Sequence, residues 1–285
     1  MLSEGRVEAG GIAFGVIQAG TGPLALCLHG FPDSAWTWRH LLPALADAGF
    51  RAVAPFMRGY APTEIAPDGD YGIAALAQDA NALHETLGGD EDAVLIGHDW
   101  GAEAAYAAAA LAPRNWRRLV TIGVPPLALD ERLFADPPQR ERFAYLFLLK
   151  TPDAQDVVAA DDMAFVDGLW RDWSPGYDAT EDLRHAKACL RAPHHLAAAI
   201  DYYRSDEPGL DPDRNAALVR TPPQPTLYLH GDRDGSLDVR LVRDAEDHLA
   251  PGSRMEVVEG AGHFLHLERP AAVNSRIVEW ATGSP

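Results

Sequence analysis

Gly97-His98-Asp99-Trp100-Gly101 follows the apolar run Val94-Leu95-Ile96 and precedes a stretch rich in alanine. The spacing Gly-x-Asp-x-Gly has the form of a nucleophile elbow, with aspartate where serine usually stands. The glycines permit a tight strand-to-helix turn that presents the central side chain, and the helix N-terminus behind it favours negative charge. Taken alone, Asp99 reads equally well as an ordinary N-cap. Two residues downstream shift that balance. Asp234 lies in "LHGDRDG", a loop leaving a strand, and His263 lies in "GAGHF", the loop leaving the next one. Nucleophile, acid and histidine in this chain order make a hydrolytic triad. His266 is the nearest rival to His263, but only His263 sits in the Gly-His pair that opens the loop.

An aspartate in that position implies a particular chemistry. Serine attacking a saturated carbon would leave an ether, which water does not readily cleave. A carboxylate attacking the same carbon leaves an ester, so Asp99 points to displacement at an sp³ carbon through a covalent alkyl-enzyme. His263 then serves the second step by deprotonating the water that attacks the Asp99 carboxyl carbon. Asp234 holds the imidazole tautomer and stabilises the imidazolium. "HGFPDS" at 29–34 follows the third strand, so the backbone N–H groups of Phe31 and Trp100 are the expected oxyanion-hole donors. Pro32 and the Trp100 ring are expected to line the substrate pocket, although Phe31-Pro32 also reads as a tight turn with a cis bond.

The elements that must position these residues are legible in outline. "RVEAGGIAFGVIQAG" reads as a hairpin centred on Gly10-Gly11, and "PLALCLHG" as a buried strand. A helix is expected over roughly 35–47, a strand at "RAVAP", a helix over about 72–87, and a strand at "RRLVTIGVPP". From 126 to 218 the pattern is helical, rich in aromatic residues and bracketed by "VPPL" and "RTPPQP". Alternation resumes with "PTLYLHG", a helix over roughly 237–249, "RMEVVEG" and the final helix "PAAVNSRIVEWA". The expected class is α/β: a mostly parallel central sheet flanked by helices. Residues 1–125 and 219–285 would form the core, with 126–218 as a helical cap.

Composition narrows the partners. The chain has 285 residues, 47% hydrophobic and 23% charged, as in an ordinary globular protein. Its net charge of −18 argues against nucleic acid and against anionic membrane surfaces. No run of apolar residues reaches membrane-spanning length, and the N-terminus lacks the features of a signal peptide. Cys27 and Cys189 suggest reduced thiols, with the cytoplasm as the default location. A small apolar molecule and water are the expected partners of a monomer or homodimer. No cofactor and no metal are expected.

The motifs HGFP, GHDWGA, the Asp234 loop and the "GHF" histidine together resemble the α/β-hydrolase superfamily. The resemblance extends over essentially the whole chain and is to its aspartate-nucleophile branch, which contains epoxide hydrolases and haloalkane dehalogenases. One departure is Phe56 in "FMRGYAPT", where relatives often carry aspartate. The resemblance implies two lid tyrosines that protonate an epoxide oxygen. "YLFLLKTP" selects Tyr145 and "DYYR" selects Tyr203, with Tyr202 as a possible substitute. Trp100 suits either activity, since its indole N–H could serve a halide. HGFP favours the epoxide reading, because many dehalogenases have Asn in place of this Phe. The absence of an arginine beside Asp99 disfavours a carboxylate substrate. Trp170 and Trp173 read as lid packing. A haloalkane dehalogenase and a ligand-binding pseudo-hydrolase remain as alternatives.

Overall fold

The structure, a computed structural model, describes residues 1–205 and 220–283. Eight strands form one sheet: β1 (Ser3–Ala9), β2 (Ile12–Ala19), β3 (Leu24–Leu28), β4 (Arg51–Pro55), β5 (Val94–His98), β6 (Arg118–Ile122), β7 (Thr226–Gly231) and β8 (Arg254–Val258). Their spatial order is β1-β2-β4-β3-β5-β6-β7-β8. Gly10 and Gly11, both at positive φ, close the β1–β2 hairpin with Ala9 opposite Ile12. β2 is antiparallel to β4, and every pairing from β4 to β8 is parallel. β3, β5, β6 and β7 are buried along their whole length, as strands covered on both faces must be.

The chain steps from β3 outward to β4 and then returns to place β5 on the other side of β3. That reversal is the topological switch point, where loops diverge at the carboxyl ends of the strands and leave a crevice. His29-Gly30 follows β3 and Asp99 follows β5, so both emerge there.

Helices α1 (Leu41–Asp47), α2 (Ile73–Thr86) and α3 (Trp100–Leu111) cover the sheet together with the C-terminal helix Pro270–Thr282. Small buried alanines in α3, including Ala104, Ala105 and Ala108, let it lie close to the sheet. Between β6 and residue 205, the regular elements are all helices: α4 (Asp130–Ala135), α5 (Pro137–Arg142), α6 (Ala144–Leu149), α7 (Ala154–Trp173), α8 (Thr180–Leu190) and α9 (Pro193–Ser205). The boundary expected at 218 lies outside the described residues. Among those residues no helix is long and apolar enough to cross a membrane. Cys27 and Cys189 are both buried and unpaired.

Two expectations need correction. The helix over 35–47 is a 3₁₀ turn, Ala35–Trp38, followed by α1. The helix over 237–249 is replaced by two 3₁₀ turns, Val239–Leu241 and Ala245–His248. Its backbone has other partners: His230 Nε2 donates to the Leu237 carbonyl at 3.0 Å, and the Asp238 N–H donates to Gln139 Oε1 at 2.9 Å. The pull of neighbouring elements overrides the helical periodicity here.

Candidate active site

Asp99 holds φ 53° and ψ −124°, a conformation that costs a non-glycine residue about 1–3 kcal/mol. The surroundings enforce it. A Cβ on Gly97 would stand 2.1 Å from the Gly101 carbonyl oxygen, and one on Gly101 would stand 2.2 Å from that of Leu28. The turn closes only with glycine on each side. Gly30 is under the same constraint, since a Cβ there would reach 2.3 Å from Asp99 Oδ1.

Around this turn the structure brings Asp99, Asp234 and His263 together. His263 Nδ1 and Asp234 Oδ2 are 2.9 Å apart, and His263 Nε2 faces Asp99 Oδ2 at 3.6 Å. The other Asp234 oxygen accepts the N–H groups of Ser236 and Leu237 at 2.8 and 2.9 Å. All three side chains are buried. Burial opposes charge on His263, yet Asp234 and then Asp99 outweigh it and push its pKa up to about 10. Burial also opposes charge on Asp234, but the charge and hydrogen bond of His263 hold its carboxyl below the usual range.

The Phe31 N–H donates to Asp99 Oδ1 at 2.7 Å. Trp100 is the first residue of α3, which puts its backbone N–H at the helix N-terminus beside Asp99. The Phe31-Pro32 bond is cis, and the Pro32 carbonyl accepts the Trp170 indole N–H at 2.8 Å. The helical insertion supplies the facing wall. The Tyr203 ring packs edge-on against Trp100 and Phe31, with centroids 5.1 and 5.3 Å away, and the Tyr145 ring lies 6.0 Å from Tyr203. Burial raises both tyrosines. Asp99's charge adds to this at each, so both hydroxyls keep their protons.

Tyr202 is engaged elsewhere: its hydroxyl donates to the Arg58 carbonyl at 2.8 Å. Phe56 is buried in the loop after β4, and Arg58 of that loop is held by Asp79 of α2 through two contacts of 2.6 Å. Trp170 stacks on Phe264 at 3.6 Å, whereas Trp173 lies between Tyr145 (4.9 Å) and His263 (5.1 Å).

Sequence reasoning passed over a buried group beside the triad. Asp33, His98 and His266 offer ligand atoms within 4.8 Å of one another, the group among the described residues that could hold a metal. His98 Nε2 donates to the His263 carbonyl at 3.1 Å, and Thr37 Oγ1 contacts His266 Nε2. Asp33 lies inside "HGFPDS" and His98 directly precedes Asp99, but nothing in their spacing signals that they meet.

A family profile described as "alpha/beta hydrolase fold" matches residues 23–270. The AB hydrolase superfamily protein YfhM of Bacillus subtilis is 31% identical over 96% of each chain. Epoxide hydrolase A of Mycobacterium tuberculosis is 29% identical over 99% of this chain and 98% of its own. The solved structure of epoxide hydrolase A from Mycobacterium thermoresistibile superposes with a TM-score of 0.80 at 27% identity, covering 99% of both chains. A strained aspartate at the switch point, a histidine buried between two carboxylates, and likeness along nearly the full length lead to one conclusion: this chain is a hydrolase belonging to the α/β-hydrolase-fold family.

Proposed function

We propose that the protein is an epoxide hydrolase that opens a neutral, apolar epoxide to a vicinal diol through an Asp99 ester. Residues 126–218 act as a cap over a core made by 1–125 and 219–285. The observation that carries this reading is the pair of buried tyrosines beside the turn, Tyr203 packed on Trp100 and Phe31 and Tyr145 6.0 Å from Tyr203, each raised in pKa by burial and by the Asp99 charge. Halide leaves as a stable anion and needs no acid. An epoxide oxygen leaves towards an alkoxide about as basic as hydroxide, so it needs a proton. Full-length relatives that carry the name epoxide hydrolase support the same reading.

The steps follow from the charges. Asp99 attacks a ring carbon, the C–O bond breaks, and a tyrosine hydroxyl protonates the departing oxygen. This leaves a hydroxyalkyl ester and a tyrosinate. His263 starts as an imidazolium, because two carboxylates face it. Esterification neutralises Asp99, and His263 then passes its proton to the tyrosinate and becomes a base. Water attacks the ester carbon and gives its proton to His263, while the Phe31 and Trp100 N–H groups stabilise the oxyanion. Collapse expels the second diol oxygen, which takes the proton from His263. The new Asp99 carboxyl returns its own proton to the imidazole, restoring the starting charges.

The test is the variant carrying both Tyr145→Phe and Tyr203→Phe, assayed on styrene oxide-like, aliphatic and terpene epoxides beside a haloalkane panel. Each single variant should lose about 10²–10³ in alkylation rate, and the double variant nearly all epoxide turnover. Near-parental epoxide opening by the double variant would refute the assignment. Halide release that survives it, and is lost in Trp100→Phe, would favour a dehalogenase.

A further inference from the structure

The helical insertion meets the core at a second place, away from the tyrosines. Trp173 ends α7, and its carbonyl accepts two backbone N–H groups, those of Gly235 and His263, each at 3.0 Å. One oxygen thus joins the loop of the acid to the loop of the base. The hydroxyl of the next residue, Ser174, accepts the Phe264 N–H at 3.1 Å and donates to Glu268 Oε1 at 2.6 Å. Both Glu268 oxygens take the Gly262 N–H at 2.9 Å. The N–H groups of residues 262, 263 and 264 are therefore all held by Trp173, Ser174 or Glu268. From the opposite side, His98 holds the His263 carbonyl.

The sequence leaves room for this contact. A Cβ on Gly235 would lie 1.9 Å from the Asp172 carbonyl oxygen, and one on Gly262 would lie 2.6 Å from the Ser174 Cα. Backbone 172–174 passes where any other residue would carry a side chain. Ser174 is buried and Glu268 is partly buried. The expected oxyanion donors lie elsewhere, Phe31 in the loop after β3 and Trp100 at the start of α3.

We infer that Ser174 and Glu268 are positioning residues that aim His263 for ester hydrolysis. The inference rests on the two-step reading above and deepens it. Alkylation needs Asp99 and the tyrosines. Hydrolysis alone needs the imidazole at a fixed distance from the ester carbon. Loosening the backbone on both sides of His263 should therefore slow the second step and spare the first.

Ester formation and decay can be followed separately by rapid quench and intact mass, using a styrene oxide-like substrate. In Ser174→Ala, ester should form at the parental rate but decay about 10- to 100-fold more slowly, becoming the dominant steady-state species. Should that variant not fold, Glu268→Gln gives the same reading, because its single amide oxygen cannot replace both carboxylate oxygens that hold Ser174 and Gly262. Parental decay rates, or formation and decay slowed equally, would overturn the inference. His263→Gln serves as the control. If no ester forms even there, the Asp99 reading fails and this inference fails with it.

Discussion

His263 spends the resting state between Asp234 and Asp99, and the consequence extends beyond catalysis. Its pKa is raised from 6.5 to about 10. A group raised on folding adds stability that is fully present below its unfolded pKa and is lost as pH climbs through the folded one. The window is therefore about pH 6.5 to 10. Below it, His263→Gln should melt well below the parent, because a neutral amide leaves the two carboxylates unbalanced. The gap should close towards pH 10. Paired melting curves across this range check the sign, and a gap that widens with pH would contradict it. Asp99, Asp234 and His263 are legible from sequence because each lies within three residues of a glycine in a segment that leaves a strand.

Elements explain why the glycines matter. In the interior of a helix, Gly→Ala ordinarily stabilises by about 0.5–1 kcal/mol. Gly168 in α7 should follow that rule, since an added Cβ would meet only the Arg171 guanidinium at 3.7 Å. Gly101 in α3 should reverse it, because the Cβ would sit 2.2 Å from the Leu28 carbonyl oxygen and α3 would have to lift from β3. A loss of about 1–3 kcal/mol is expected there, together with impaired turnover as Asp99 shifts. Denaturant titration of the two variants measures the contrast. The same scale shows where sequence reading ran out. Apolar runs marked the sheet well, but in the expected helix at 237–249 the Leu237 carbonyl is taken by His230. Ser174 lies 94 residues from Glu268 and 90 from Phe264, and no local spacing announces contacts of that range. The tyrosines stood out only through a resemblance, since a lid aromatic has no periodic signature.

At the scale of the whole molecule, both hydrophobic clusters among the described residues run from the sheet into the helical insertion, the smaller one joining Leu133 and Phe143 to Tyr228. Leu26 and Ile96 of the sheet belong to the same cluster as Trp170, Trp173, Leu196 and Tyr202. Polar contacts reinforce this continuity: Arg39 pairs with the buried Asp182 of α8, and Trp170 reaches Pro32. Unfolding should therefore be a single transition, with far-UV circular dichroism and tryptophan fluorescence tracing coincident curves. An early fluorescence change would mean that the insertion melts independently.

The two buried thiols have a practical consequence. Burial raises both cysteines far above the range in which a thiolate forms at neutral pH, and neither is accessible from solvent. The folded chain is thus silent towards maleimides and similar electrophiles. A single cysteine introduced at an exposed position, such as Phe147 on α6, would be the one site to react. A fluorophore there would report on α6, the helix that carries Tyr145, in otherwise unaltered protein.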